Sequence, residues 1–252
     1  MRRFAGDEAQ HVVVIGGLEA PRRQRRGRPA DAGATAVDVT RATVVGVAAL
    51  DGEASAEAWL RDDASALVEP ALAVLNRALH ARRIAAADPY AGEVALRHAL
   101  VTRVGYGTGE QVAEGRWSAA LDLPPERARI ARESALRPEE RFAALLSGRD
   151  AALACELLAL RARLDSEHGR DREAALQLEA ALGAGLSELE GWRELDGMPG
   201  RLEELRGLLA GVAAAAADAR TGSLDEAGRG LVERALGRLE AALRARTAGA
   251  QF

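Results

Sequence analysis

LEELRGLLAGVAAAAADARTGSLDEAGRGLVERALGRLEAAL, residues 202–243, sets Leu202, Leu205, Leu209, Val212 and Ala216 at intervals of 3, 4, 3 and 4. Val232, Leu236, Leu239 and Leu243 follow at intervals of 4, 3 and 4. Alternating threes and fours keep apolar side chains on one face of a helix, and a sustained seam of this kind seeks a second helix. Gly222 falls between the two runs, and Ser223-Leu224-Asp225-Glu226 has the spacing of a capping box. A hydroxyl and a carboxylate three residues apart can satisfy free backbone donors at a helix start. Residues 198–252 are therefore expected to form an antiparallel helical hairpin of coiled-coil character. The same seam could instead join two copies of the chain in a homodimer.

Towards the amino end, Asp150–Ser166 and Arg172–Leu189 read as helices joined through Glu167-His168-Gly169-Arg170-Asp171, a second hairpin. Arg137-Pro138-Glu139-Glu140 and Pro124-Pro125-Glu126 each put Pro near a first helical turn with carboxylates behind it, where the helix dipole favours them. Thr108-Gly109-Glu110-Gln111 has capping-box spacing, so another helix is expected to start there. Tyr90–Val104 is read as helical, with Val94, Val101 and Val104 on a buried stripe and Gly105 and Gly107 as the stop. Over Ala54–Ala87, Leu60, Leu67, Leu72, Leu75 and Leu79 share a helix face with Trp59 at its start, and Pro70 is expected to kink or split it. Residues 53–197 form the expected helical domain.

Residues 1–36 contain a short apolar patch, Val12–Ile15, and then a Pro-, Gly- and Arg-rich stretch with no repeating apolar face, which predicts a disordered tail. Residues 37–52 include the one long β-branched segment, a short strand or linker that could pair with Val12–Ile15. The fold class expected is mainly α: antiparallel helical hairpins or a bundle, an Arg-rich disordered tail, and at most one or two short strands. Aromatics are only 3% of the chain, which suits close helix packing through Ala, Leu and Val.

All 34 basic residues are Arg, so Schiff-base chemistry, lysine general bases and the P-loop lysine are excluded. A net charge of −4 with interspersed signs gives no long-range attraction to nucleic acid or an anionic membrane. Cys155 is the single cysteine, so no intramolecular disulfide or cysteine metal cluster can form, and a cytoplasmic setting is expected. Asp7 and Glu8 follow Arg2-Arg3 where an export signal needs an apolar run, and Leu208–Ala217 is too short to cross a bilayer.

Gly169-Arg170-Asp171-Arg172-Glu173-Ala174, followed by Leu178 and Ala181, resembles the turn and second helix of a tetratricopeptide repeat over residues 150–189. Similar turns at Gly115 and Gly222 fall at near-equal intervals, though longer than the roughly 34-residue period of that family. Arg161 and Asp165 stand where the family prefers apolar side chains. The resemblance implies peptide or protein binding. Arg25-Arg26-Gly27-Arg28-Pro29 resembles an AT-hook, with Arg22 and Arg23 as added phosphate contacts, which implies A·T minor-groove binding. Val12–Gly17 lacks the third glycine and the helix of a dinucleotide-binding loop.

Arg103, Gly107, Thr108 and Gly109 are candidates for an anion cradle at a helix start, with Arg116 nearby. His11, His80, His98 and His168 show no metal-ligating spacing, and Cys155 on an apolar face is expected to be inert. No catalytic, cofactor or metal residue is assigned. The expectation is a helical interaction scaffold with an unknown protein partner. The alternatives are a DNA-associated protein acting through the tail, and an enzyme whose site, marked by converging His80, His98 or carboxylates, lies between helices.

Overall fold

The computed structural model describes residues 10–18, 39–124 and 138–249, and the chain divides into two compact units, 1–128 and 129–252. The mainly helical class expected from the apolar periodicity is what the structure shows, with two small two-stranded sheets added.

In the first unit, β1 (His11–Leu18) pairs antiparallel with β2 (Val39–Gly46), from His11 opposite Gly46 to Leu18 opposite Val39. β1 lies inside the segment read as a tail, because Val12–Ile15 finds the β-branched partner that stabilises an otherwise lone strand. Residues 1–9 and 19–36, including Arg22, Arg23, Arg25, Arg26 and Arg28, lie outside the described residues. α1 (Gly52–Asp63) and α2 (Val68–Ala85) are divided by a 3₁₀ turn at Ala64–Leu67. Pro70 sits in the first turn of α2, where its missing N–H breaks no hydrogen bond, so the helix divides just before it.

Tyr90–Val104 is not the expected helix. A 3₁₀ turn at Leu96–His98 leads into β3 (Thr102–Tyr106), which pairs antiparallel with β4 (Ala119–Leu123). Two interactions override the apolar spacing. Asn76, buried on α2, donates to the Val94 carbonyl at 3.0 Å and accepts from the Val94 N–H at 2.9 Å, so the segment is held extended against α2. Gly105 is a strand residue rather than a helix stop, because a Cβ there would stand 2.0 Å from Trp117 Cε3. The Trp117 indole in turn donates to the Val112 carbonyl at 3.1 Å. Thr108–Gln111 forms no capping box: Gly109 precedes a five-residue 3₁₀ turn, Glu110–Glu114, without a side-chain cap. The start expected at Pro124-Pro125-Glu126 runs into residues outside the described ones.

In the second unit, α3 (Pro138–Leu146) carries Pro138, Glu139 and Glu140 at the start of its described residues. α4 (Ala154–Glu167) and α5 (Asp171–Glu188) form the predicted hairpin, turned by Gly169 at φ +68°. Asp165, polar where a tetratricopeptide repeat prefers an apolar side chain, is buried at this corner. Its carboxylate accepts from Arg170 Nε and Gln177 Nε2, and its carbonyl from the Arg170 N–H. A 3₁₀ turn at Leu189–Trp192 leads to α6 (Met198–Thr221) and α7 (Glu226–Gly249), the second predicted hairpin. The α7 cap is shifted from the expected Ser223: Asp225 Oδ1 accepts the Gly228 N–H at 2.7 Å.

The four long helices pack in sequence, and α7 also closes onto α4 and α5. Their core is Leu178, Leu182, Leu202, Leu205, Leu236 and Leu239, all 0% exposed. Ala174 and Ala181, also fully buried, let α5 approach its neighbours closely. Of the carboxyl-terminal seam, Leu202, Leu205, Val212, Val232, Leu236 and Leu239 are buried within the chain, while Leu209 is exposed. Among the described residues, no helix is long and apolar enough to cross a membrane.

Candidate functional site

The apolar series Val232, Leu236, Leu239 and Leu243 continues, three residues on, at Arg246, a charged residue on a buried seam. Arg246 is 1% exposed. Its Nη2 donates to Asp150 Oδ1 at 2.5 Å and to the Ala151 carbonyl at 3.2 Å, and its Nη1 to Glu156 Oε1 at 3.3 Å. The guanidinium carbon stands 4.4 Å from the centroid of the Trp192 ring, a cation–π arrangement in a dry setting. Nε has no hydrogen-bond partner among the described residues.

A second arginine reaches the same carboxylates from α3. Arg141 Nε donates to Asp150 Oδ2 at 3.1 Å and Arg141 Nη2 to Glu156 Oε1 at 2.5 Å. The remaining Glu156 oxygen accepts the Leu153 N–H at 2.9 Å. Glu188, at the end of α5, accepts the N–H groups of Ala154 and Cys155 at 3.0 Å each and so caps α4 from another helix. Two guanidinium groups meet the two carboxylates of Asp150 and Glu156, and the third carboxylate, Glu188, sits on the positive end of α4, which offsets its charge.

Burial pushes the Asp150 carboxyl upward, but hydrogen bonds from Arg141, the Ala151 N–H and Arg246 outweigh it and hold the group below the usual range. Glu188 is held low in the same way, burial being overcome by hydrogen bonds from the Cys155 thiol and the Cys155 and Ala154 amides. The same cluster acts oppositely on Cys155: burial first, then Glu188, pushes its thiol up to about 12. Such a thiol carries almost no thiolate at neutral pH and is no nucleophile. The cluster's charges are spent on one another, which makes it a tie between α3, α4, α5 and α7.

A second tie joins α4 to α7: Arg163 forks onto Glu240 at 2.8 and 3.0 Å and reaches Glu233 at 2.6 Å, while Ser166 donates to Glu233 at 2.9 Å. Beside it lies a cavity of about 310 Å³ bordered by Ser166, Asp171, Leu224, Arg229 and Glu233. No histidine borders it.

The outer face of α4 is apolar and uncovered. Leu157, Leu160 and Leu164 are 53%, 69% and 36% exposed, on the side opposite buried Cys155, Ala159 and Ala162, and exposed Arg161 stands beside them.

Of the residues singled out from sequence, Arg103 is committed across β3 and β4, its Nε and Nη2 donating to the two Asp122 oxygens at 2.5 and 3.0 Å. It is not turned to Gly107, Thr108 and Gly109, and Arg116 pairs with Glu114 at 3.2 Å. His80 Nδ1 lies 3.5 Å from Glu93 Oε1, while His98 is exposed in its 3₁₀ turn, so the two do not share a pocket. Among the described residues, no group of His, Cys, Asp and Glu side chains is placed to hold a metal ion. The Arg246 cluster was missed, although its signal is present: an arginine standing at the next seam position of α7.

Neither a family model, a characterised protein nor a solved structure matches this chain.

Proposed function

We infer that this protein is a helical interaction scaffold that receives an amphipathic helix of a partner protein along α4. The observation supporting this is the stripe Leu157, Leu160 and Leu164, spaced 3 and 4 along a helix whose opposite side is locked into the bundle. Such spacing presents knobs to one facing helix. Three partly exposed leucines fall well short of the ~800 Å² per partner of a standard stable interface, which suits a single docked helix better than a broad self-association surface. Arg161 beside the stripe favours a partner helix with a carboxylate on its flank.

The test places photoreactive benzoylphenylalanine at Leu160 of the full chain, and at exposed Glu203 as control. A protein crosslinked from position 160, absent from position 203 and lost when Leu157→Glu is added, supports docking on α4. Equal crosslinking from both positions, or none from 160, overturns it. The DNA-associated alternative rests on the Arg25–Pro29 sequence and predicts salt-sensitive binding to A·T-rich duplex that disappears when Arg26 and Arg28 become Ala.

A further inference from the structure

α3 is an amphipathic helix seated the wrong way round. Its apolar residues Phe142 and Leu146 are 59% and 74% exposed, while charged Arg141 points inward with its side chain 21% exposed. The one α3 side chain that is fully buried is Ala144, a single methyl group, with Leu145 partly covered. Burial of a methyl contributes little, and the charge-assisted hydrogen bonds of Arg141 add the link from α3 to Asp150 and α4. That arginine bridges Asp150, in the segment after α3, and Glu156, in the first turn of α4.

Both carboxylates have a second partner that belongs to the bundle. Arg246 of α7 donates to Asp150 and Glu156, and the Leu153 N–H also donates to Glu156. When Arg141 leaves, these acids keep a counter-charge, and Glu188 keeps its cap on α4. The bundle has its own leucine core, to which α3 adds no residue.

We propose that α3 is a detachable strap, latched by Arg141 onto the Asp150–Glu156 pair, which opens while the α4–α7 bundle stays folded. Opening brings water to Asp150 and Glu156 and lets α3, with Phe142 and Leu146 already outward, move away from the bundle. The device does not depend on what binds the outer face of α4.

Hydrogen exchange read by mass spectrometry on the full chain, wild type and Arg141→Met, tests this at neutral pH. Amides of 138–149 are expected to exchange at least about ten-fold faster in the variant, while those of α5, α6 and α7 keep wild-type protection. Unchanged protection of 138–149 overturns the proposal, and so does loss of protection throughout. Should Arg141→Met fail to fold, the wild-type chain in sub-denaturing urea decides. Exchange of 138–149 that stays insensitive to urea, while the bundle's rises steeply, supports a local opening. Urea dependence equal to that of the bundle shows that α3 unfolds only with it.

Discussion

The guanidinium of Arg246 lies 4.4 Å from the ring centroid of Trp192 and bonds Asp150 from the same buried position, so one side chain joins the end of α7 to the 3₁₀ turn and to the approach of α4. A charge in this setting is tolerated because its partners are pre-arranged, and it becomes costly when one of them is removed.

Arg246→Met keeps much of the volume and removes the charge, leaving Arg141 as the one arginine on Asp150 and Glu156 among the described residues. A loss of about 1–3 kcal/mol is expected, the usual consequence of leaving buried carboxylate oxygens without one of their donors, because Arg141 still supplies a counter-charge. Urea unfolding followed by circular dichroism measures it. A loss below about 1 kcal/mol, the range of exposed pairs, would show that the cluster is effectively solvated.

Acid should weaken the second unit through the same groups. Asp150 and Glu188 titrate below their ordinary 3.8 and 4.5 in the folded chain. As pH falls, the unfolded chain takes up these protons first, so their contribution is complete above about pH 5 and is lost as pH drops through the folded values. Urea midpoints for 129–252, followed by hydrogen exchange of the full chain, should be flat from neutrality to about pH 5 and decline below it.

Gly105→Ala is expected to destabilise the first unit, because the new Cβ would stand 2.0 Å from Trp117 Cε3 and 2.6 Å from the Ala119 carbonyl oxygen. Overpacking of this kind costs about 1–3 kcal/mol, and displacement of the ring should shift the tryptophan emission. Gly16→Ala, in a strand position where a Cβ meets nothing within 4 Å, is the matched control and should leave both stability and emission near wild type.

Cys155 should resist maleimide in the native protein at mildly alkaline pH and react fully in guanidinium. The residue is 0% exposed and its thiol is pushed up to about 12, so neither access nor thiolate is available until the helices separate. Rapid native labelling would place the thiol at a surface.

Apolar periodicity along the chain specifies the two carboxyl-proximal hairpins. Leu202 through Val212 and Val232 through Leu243 repeat at spacings that place them on one helix face, and Gly169 marks a turn at φ +68° that glycine makes easy. Val12–Ile15 and the β-branched run after Val37 likewise signalled a strand pair, which a local composition favouring loops partly obscured. Tertiary structure alone decided 90–106. The valines there fit a helix as well as a strand, and the Asn76 amide on Val94 and the Trp117 ring over Gly105 selected the extended form. It also decided the Arg246 cluster, because carboxylates at 150 and 156 meet arginines at 141 and 246, and Glu188 meets the start of α4, only once the helices have packed. Apolar periodicity is a property of one segment and can be read along it. Charge pairing between segments depends on distances that the chain acquires only by folding.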